Sequence, residues 1–385
     1  MRSIALYSCL LLAGSTAGIG LWGTPPTHES SEAPSAPVPS APAPSAPSKG
    51  WNAVTAADYL DSREIWWQSW PRAQKDHGTL CISCHTTVPY AMARSGMRRE
   101  LHETGMAAPE KIMLDSVEKR VSHWSEMTPF YSDAVHGPGK TSEAHATEAV
   151  LNAVILTSYD VRQGHLRPIT RTALDAAWAL QEESGENAGG WKWQDFHLGP
   201  WEAGESSYQG AALLMVEVGG APDGYASEPG AREHVERLRQ YLRRKYSAQP
   251  LMNQIYVLWA SGKVPDLLTA DERKILVASL ESLQQEDGGW RLSSMDKKKR
   301  LDDSPEPVES DGVATGLAVL AMENSGSGED AMRKRGLKWL EGHQSKDGDW
   351  SASSLNKKRD PKSDIGRFMS DAATGYAVLA LEGAR

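Results

Sequence analysis

The stretches "QQEDGGW", residues 284–290, and "QSKDGDW", residues 344–350, decide the fold, because they are two copies of one turn with the pattern Q-x-x-x-G-x-W. A variable polar loop follows each turn, and after it come the related segments "VATGLAVLA" at 313–321 and "AATGYAVLA" at 372–380. A weaker copy, "GENAGGWKW", spans residues 185–193. Self-similarity of this kind indicates a repeat architecture.

Each repeat predicts a helical hairpin. The first helix is amphipathic, as in "DERKILVASLESLQQ" from Asp271, and is expected to lie in an outer layer. The second helix is rich in Ala, Gly and Leu and is expected to be buried. Ser310 and Ser370 are suitable N-cap residues for the second helices, and the adjacent Asp311 and Asp371 would favour the helix dipole. The repeated Gln and Trp residues are expected to brace helix ends.

Counting repeats backwards from the C-terminus predicts six hairpins. Five pairs of outer and inner helices are expected at 329–345 with 370–383, 270–286 with 310–323, 229–245 with 250–261, 169–183 with 205–219, and 109–126 with 143–160. A sixth pair, 53–72 with 86–102, would complete the set. The turn between these last two segments contains Gln74, Gly78 and Leu80, which have the spacing of Gln344, Gly348 and Trp350.

The Q-x-x-x-G-x-W turns and the helical hairpins resemble those of the terpenoid-cyclase and protein-prenyltransferase superfamily, over about Thr141 to Arg385. The resemblance implies an all-α fold in which about six hairpins close into an α/α toroid, with the inner helices around a central cavity. The activities of that superfamily are not expected here. The D-x-D-D acid motif of the squalene-type cyclases is absent, and no cysteine follows Cys84 to complete a prenyltransferase zinc set.

The predicted first turn carries a second motif, "CISCH", in which Cys81, Cys84 and His85 form the C-x-x-C-H pattern of a c-type haem attachment site. The cysteines would bond the two haem vinyl groups as thioethers, and His85 would be the proximal iron ligand. A thioredoxin-like redox pair would need a βαβ context, and a structural zinc site would need a second cysteine pair. The haem is therefore predicted on a turn of the toroid rather than on a separate cytochrome domain.

The second axial ligand is left open by the sequence. Met127 and His145 are the alternative distal ligands, and His123 and His136 are also in range. Methionine ligation would raise the reduction potential and suit electron transfer, whereas an open position would suit small-molecule chemistry.

One loop concentrates aromatic residues. It contains Trp191, Trp193, Phe196 and Trp201, in a chain that has only three phenylalanines. The loop is either a hydrophobic lid over helix ends or an aromatic wall beside the haem, with Trp193 and Trp201 as candidate cofactor-binding residues.

The N-terminal part is expected to lie outside the toroid. Residues 1–23 contain an apolar run after Arg2, which is either a cleaved secretory signal or an uncleaved membrane anchor. Residues 24–50 are rich in Pro, Ala and Ser and predict an extended linker. Residues 51–385 would form the haem-bearing toroid domain. Apart from Cys9 in the apolar run, the chain's cysteines are the two of the haem motif, which excludes a disulfide scaffold.

These features together predict a c-type haem protein, periplasmic or otherwise exported, that transfers electrons to a partner protein. The net charge of −9 argues against a nucleic-acid partner, and membrane contact is expected only through an uncleaved N-terminal segment. The alternatives are a haem-dependent oxidoreductase acting on a small apolar, isoprenoid-like molecule in the toroid cavity, and a non-catalytic ligand-binding module.

Overall fold

A computed structural model of the protein describes residues 50–127, 137–328 and 330–384. The predicted signal or anchor segment and nearly all of the predicted linker lie outside the described residues. Trp51–Arg385 forms one compact unit. No helix of the described residues has both the length and the apolar character needed to cross a membrane.

The fold is all-α, and its helices alternate between two layers. In the described residues, six helices form the inner layer: α2 (Thr87–Met97), α4 (Gly137–Gln163), α6 (Ser206–Gly219), α8 (Leu251–Ser261), α11 (Gly312–Ser325) and α13 (Phe368–Gly383). Six others form the outer layer: α1 (Ala53–Ser69), α3 (Ala108–Ser122), α5 (Pro168–Ala179), α7 (Pro229–Lys245), α9 (Ala270–Leu283) and α12 (Asp330–Gly342). A short helix, α10 (Leu292–Met295), lies in the loop before α11.

The inner helices close into a ring. Each packs against the next along the chain, and α13 packs against α2. The fold is therefore an α/α toroid of six hairpins, and the Cys81–His85 motif lies in the first turn between helices, as the sequence predicts.

The residue pattern of each layer explains its burial. In α7, only Ala231, Leu238, Tyr241 and Leu242 are buried, so one narrow stripe faces the ring. In α11, by contrast, every residue from Gly312 to Met322 is buried. The small residues of α11 let the neighbouring inner helices approach it closely, and this close packing buries the helix.

The repeated Gln and Trp residues are structural, as predicted. The Gln284 Nε2 donates to the carbonyls of Gly288 and of Met332 in the next outer helix, at 2.8 and 2.9 Å. The Trp290 and Trp350 indole N–H groups donate to carbonyls of the outer helix before each turn. These residues therefore make hydrogen bonds both within their own repeat and to the next outer helix.

Gln344 uses the same bonds to close the ring. Its Nε2 donates to the Asn52 carbonyl at 2.9 Å, and its Oε1 accepts from the Asn52 N–H at 2.7 Å. Gly348 has a φ of +94°, and a Cβ there would lie 1.9 Å from the Thr55 carbonyl oxygen. The last turn therefore presses directly against the start of α1.

The predicted N-caps of the last two inner helices are wrong. Asp311, rather than Ser310, caps α11, and α13 begins at Phe368, so that Ser370 lies inside its first turn. Gln74 does not repeat the role of Gln344, because its Nε2 donates back to the Gln68 carbonyl at 2.7 Å. The spacing located the first turn correctly, although its side chains are bonded differently.

Candidate functional site

The first turn is a small hairpin followed by the Cys81–His85 segment. Strands β1 (Gln74–Lys75) and β2 (Thr79–Leu80) pair antiparallel. After β2, the Cys81 N–H donates to the Ala73 carbonyl at 2.7 Å, and the Trp67 indole N–H donates to the Cys81 carbonyl at 2.7 Å. These two bonds fix the backbone where the motif begins.

The two cysteines of the motif form no disulfide, and each is partly buried. Burial raises the pKa of the Cys84 thiol well above its usual range, and the carboxylate of Glu202 adds to the effect. Cys84 is therefore protonated at physiological pH, which makes it a poor metal-binding thiolate in this state.

His85 is enclosed by aromatic rings and is only 5% exposed. Its imidazole stacks on Phe368 with ring centroids 3.8 Å apart, and it meets the edges of Trp67 and Trp201 at 5.8 Å. Burial lowers the pKa of His85 to about 3, and the positive charge of Arg63 contributes to the shift. The imidazole is therefore neutral, as a metal ligand must be.

A buried carboxylate decides which His85 nitrogen carries the proton. Asp371 accepts hydrogen bonds from Arg63 Nε at 2.7 Å, Tyr59 at 2.9 Å and the Thr86 hydroxyl at 2.7 Å. The Thr86 hydroxyl has only one proton and gives it to Asp371, so its oxygen can only accept from His85 Nδ1, which is 3.0 Å away. This arrangement favours the tautomer with the proton on Nδ1, in which Nε2 presents its lone pair, with the Ser83 oxygen 3.5 Å away.

Ser83 fits the same assignment. Its oxygen lies 2.9 Å from His85 Nδ1 and accepts the Thr86 N–H at 2.9 Å. With the proton on Nδ1, both hydroxyl oxygens act as acceptors and no two lone pairs oppose each other. Such support of a ligand's second nitrogen is typical of histidines that bind metals.

Asp371 is a site residue that sequence reasoning missed. It was predicted only to favour a helix dipole, together with Asp311. Asp311 does serve its helix, because it accepts the N–H of Ala314 at 2.9 Å. Asp371 lies one position later in the repeat and instead joins α13 to α1 and to Thr86, which follows the Cys81–His85 motif. The sequence does not show its partner, since only the ring closure brings Arg63 to Asp371.

The aromatic loop lies at the same mouth of the toroid as the motif. Trp201 contacts His85 directly, as described above. Trp193 does so only through its neighbour: its indole N–H donates to the Trp201 carbonyl at 2.9 Å. The Trp193 ring is seated on Gly210 of α6, where a Cβ would lie 2.1 Å from the ring. Trp201 therefore lines the site, and Trp193 supports it.

The predicted distal ligands are outside this aromatic group. His145 stacks on Trp124 with ring centroids 4.2 Å apart. Among the described residues, the His145 ring makes no stacking contact with His85. Met127 is partly buried and follows a short 3-10 turn. His123 stacks on His77, and His136 lies outside the described residues. Their roles as haem ligands remain predictions.

A cavity of about 690 Å³ opens at the other mouth of the ring. It is lined by the C-terminal ends of all six inner helices, whereas the Cys81–His85 motif precedes the N-terminus of α2. The 11 residues of α2 separate the two ends by about 16 Å. Charged side chains line the cavity: Arg98, Arg99, Arg162, Lys263, Glu217 and Glu382.

The closed ring of hairpins defines the class of the protein as an α/α toroid. Residues 252–371, from α8 into α13, match the family model of the squalene-hopene cyclase C-terminal domain. This match supports the terpenoid-cyclase-like repeats. No curated protein matches the chain.

Two solved structures are similar to the chain at low identity. One is titled a "possible member of GH105 family" from Klebsiella pneumoniae subsp. pneumoniae MGH 78578, with 12% identity, coverage of 86% of this chain and 92% of that chain, and a TM-score of 0.48. The other has the same description, from Salmonella enterica subsp. enterica serovar Paratyphi A str. ATCC 9150, with 13% identity, coverage of 90% and 98%, and a TM-score of 0.49. Neither similarity carries an argument about activity.

Proposed function

We propose that the protein is an exported c-type haem protein whose haem is attached to the first turn of the toroid. Cys81 and Cys84 would each add a thiol S–H across a haem vinyl group, which forms a C–S bond and moves the proton to carbon. His85 would bind the iron through Nε2. When bound, the haem would supply a one-electron Fe(III)/Fe(II) couple.

The state of His85 is the observation that carries this proposal. A neutral imidazole whose neighbours favour the proton on Nδ1 offers its Nε2 lone pair, and two cysteines that form no disulfide lie within four residues of it. The hydrogen bonds from His85 Nδ1 to Thr86 and from Thr86 to Asp371 fix the orientation of the imidazole. This donor set fits a c-type haem, and it does not fit a structural zinc site, which would need four ligands.

The surroundings of His85 favour electron transfer. Trp67, Trp201 and Phe368 would pack against the porphyrin and exclude water from it. Such a hydrophobic shell raises the reduction potential, because it disfavours the more highly charged oxidised iron. The motif lies at a mouth of the ring, where a redox partner protein could approach the haem edge. Met127 and His145 remain the proposed alternatives for the distal ligand.

The cavity makes oxidation of an apolar molecule the weaker alternative. Its lining combines apolar residues with four cationic side chains and two anionic ones, and it opens at the mouth opposite the motif. Six charged side chains at the opposite mouth do not favour an isoprenoid-like substrate beside the iron.

Absorption spectroscopy of the protein expressed with a haem-attachment system tests the proposal. Electron transfer predicts low-spin, six-coordinate iron whose reduced spectrum does not change with carbon monoxide. A high-spin spectrum that shifts on adding carbon monoxide would instead favour the oxidoreductase or ligand-binding alternative, and the absence of any haem would refute the proposal.

A further inference from the structure

Two histidines and a glutamate from separate elements meet beside the first turn. His77 lies between β1 and β2, His123 follows α3, and Glu126 lies in the 3-10 turn after it. The two imidazoles stack with centroids 4.8 Å apart and an interplanar angle of 13°. The possible ligand atoms of all three side chains lie within 4.8 Å of one another, and His123 Nδ1 is 3.2 Å from Glu126 Oε2.

We propose that these three residues bind a divalent transition-metal ion of the zinc class, at a site separate from the haem motif. Two imidazole nitrogens and a carboxylate oxygen are a ligand set that suits Zn²⁺, Ni²⁺ or Cu²⁺ and not Mg²⁺ or Ca²⁺, which prefer oxygen ligands. Three protein ligands leave a fourth position to water.

The elements that carry the ligands are clamped together. The Ser116 hydroxyl of α3 accepts the Leu80 N–H of β2 at 2.9 Å. Arg120 of α3 donates to the Thr79 hydroxyl at 2.6 Å and reaches the Asp76 carboxylate at 3.4 Å. The hairpin and the end of α3 therefore hold a fixed relative position on either side of the site, which lowers the cost of ordering the ligands.

The hairpin also fixes the backbone of His77. Its φ of +55° and ψ of +18° are left-handed, and the Thr79 hydroxyl donates to the Asp76 carbonyl at 2.7 Å across the turn. This conformation turns the His77 ring onto His123, which is 46 residues further along the chain. The pairing of two elements, rather than local sequence, brings the imidazoles together.

The remaining adjustment is small. Zinc–nitrogen bonds of about 2.0–2.1 Å place two ligand atoms about 3.3 Å apart in a tetrahedral site. His77 and Glu126 are exposed and His123 is partly exposed, so rotation about their side-chain bonds can bring the ligand atoms to that spacing. Because His77 lies in the turn that leads to Cys81, a bound ion would also restrain the start of the haem motif.

The test is Zn²⁺ binding to the full chain with Cys81→Ser and Cys84→Ser, so that motif thiols do not contribute. We expect one Zn²⁺ per chain by isothermal titration calorimetry, and at least tenfold weaker binding after His77→Ala or His123→Ala. His197→Ala is the matched control. His197 also has a positive φ, of 58°, and lies 3.3 Å from a carboxylate, Asp195, but within the part of the chain that the structure describes it joins no group of three possible metal ligands.

A second readout counts the ligands. In the same chain, the electron paramagnetic resonance spectrum of Cu²⁺ should show two coordinated imidazole nitrogens, and one after His123→Ala. Zn²⁺ binding that is absent, that is unaffected by both histidine variants, or that is weakened equally by His197→Ala would overturn the proposal. Since the cysteines are replaced, none of these outcomes depends on whether haem binds.

Discussion

Replacement of Asp371 by alanine is expected to destabilise the fold strongly, because Asp371 neutralises a buried arginine. The Arg63 side chain is 3% exposed and that of Asp371 is 1% exposed, and Arg63 Nε and Nη2 lie 2.7 and 3.1 Å from the two carboxylate oxygens. Removing one partner of a buried ion pair costs about 3–5 kcal/mol, since the other charge is left in a region that water does not reach. Thr86 and Tyr59 would lose their acceptor as well.

A second carboxylate places the expected loss toward the lower end of that range. Arg63 Nη1 also donates to Asp364 at 2.9 Å, and the Asp364 side chain is half exposed. Arg63 therefore keeps one partner, which water screens. We expect the free energy of unfolding of Asp371→Ala to fall by about 3 kcal/mol in urea denaturation followed by tryptophan fluorescence.

Asp311→Ala is the control, since Asp311 is the buried aspartate at the start of the preceding inner helix and has no arginine partner among the described contacts. Its carboxylate accepts backbone N–H groups from Ala314 and Leu292, so its loss should cost about 0.5–2 kcal/mol, as for other helix caps. Equal losses for Asp371→Ala and Asp311→Ala would refute the reasoning, because the buried ion pair would then add nothing beyond the value of a helix cap.

Three further predictions concern the ring closure, a buried carboxyl and the aromatic cover. Gly348→Ala should cost more than 1 kcal/mol in urea denaturation, because of its positive φ and a backbone clash with α1, whereas Gly342→Ala, with nothing within 4 Å, should be neutral or stabilising. Burial raises the pKa of Glu64 from 4.5 to about 8, so the folded state loses stability as pH rises from 4.5 through 8. Glu64→Gln should therefore be more stable than wild type by a margin that grows over that pH range. Parallel pH profiles of unfolding free energy for the two proteins would contradict this. Trp201→Ala should lower the haem reduction potential and change the haem spectrum, whereas Trp339→Ala, on an outer helix, should reduce stability and leave the spectrum unchanged.

The repeat pattern was sufficient to predict the architecture. The spacing of Gln, Gly and Trp in two turns located all six hairpins, and the composition of the two kinds of helix assigned them to the correct layer. The prediction of the architecture succeeds because each repeat buries its own apolar stripe in the same way. The local sequence is then sufficient to indicate both the helices and the faces that they bury.

The contacts between segments that are far apart in the chain could not be predicted from the sequence. Asp311 and Asp371 both lie at the start of an inner helix, yet only the second meets a buried arginine, because α1 packs against α13 where the ring closes. The stacking of His77 on His123 likewise depends on how β2 docks on α3. Both are pairings between segments far apart in the chain, and neither leaves a periodic signal.

The covalent attachment of haem is the claim on which the functional account depends, and haem staining of a denaturing gel measures it most directly. The full chain and its Cys81→Ala, Cys84→Ala variant would be expressed in parallel with a haem-attachment system, alongside a known c-type cytochrome. We predict a stained band for the wild-type chain and none for the double variant. A wild-type chain that does not stain while the known cytochrome does, or a double variant that still stains, would contradict the account.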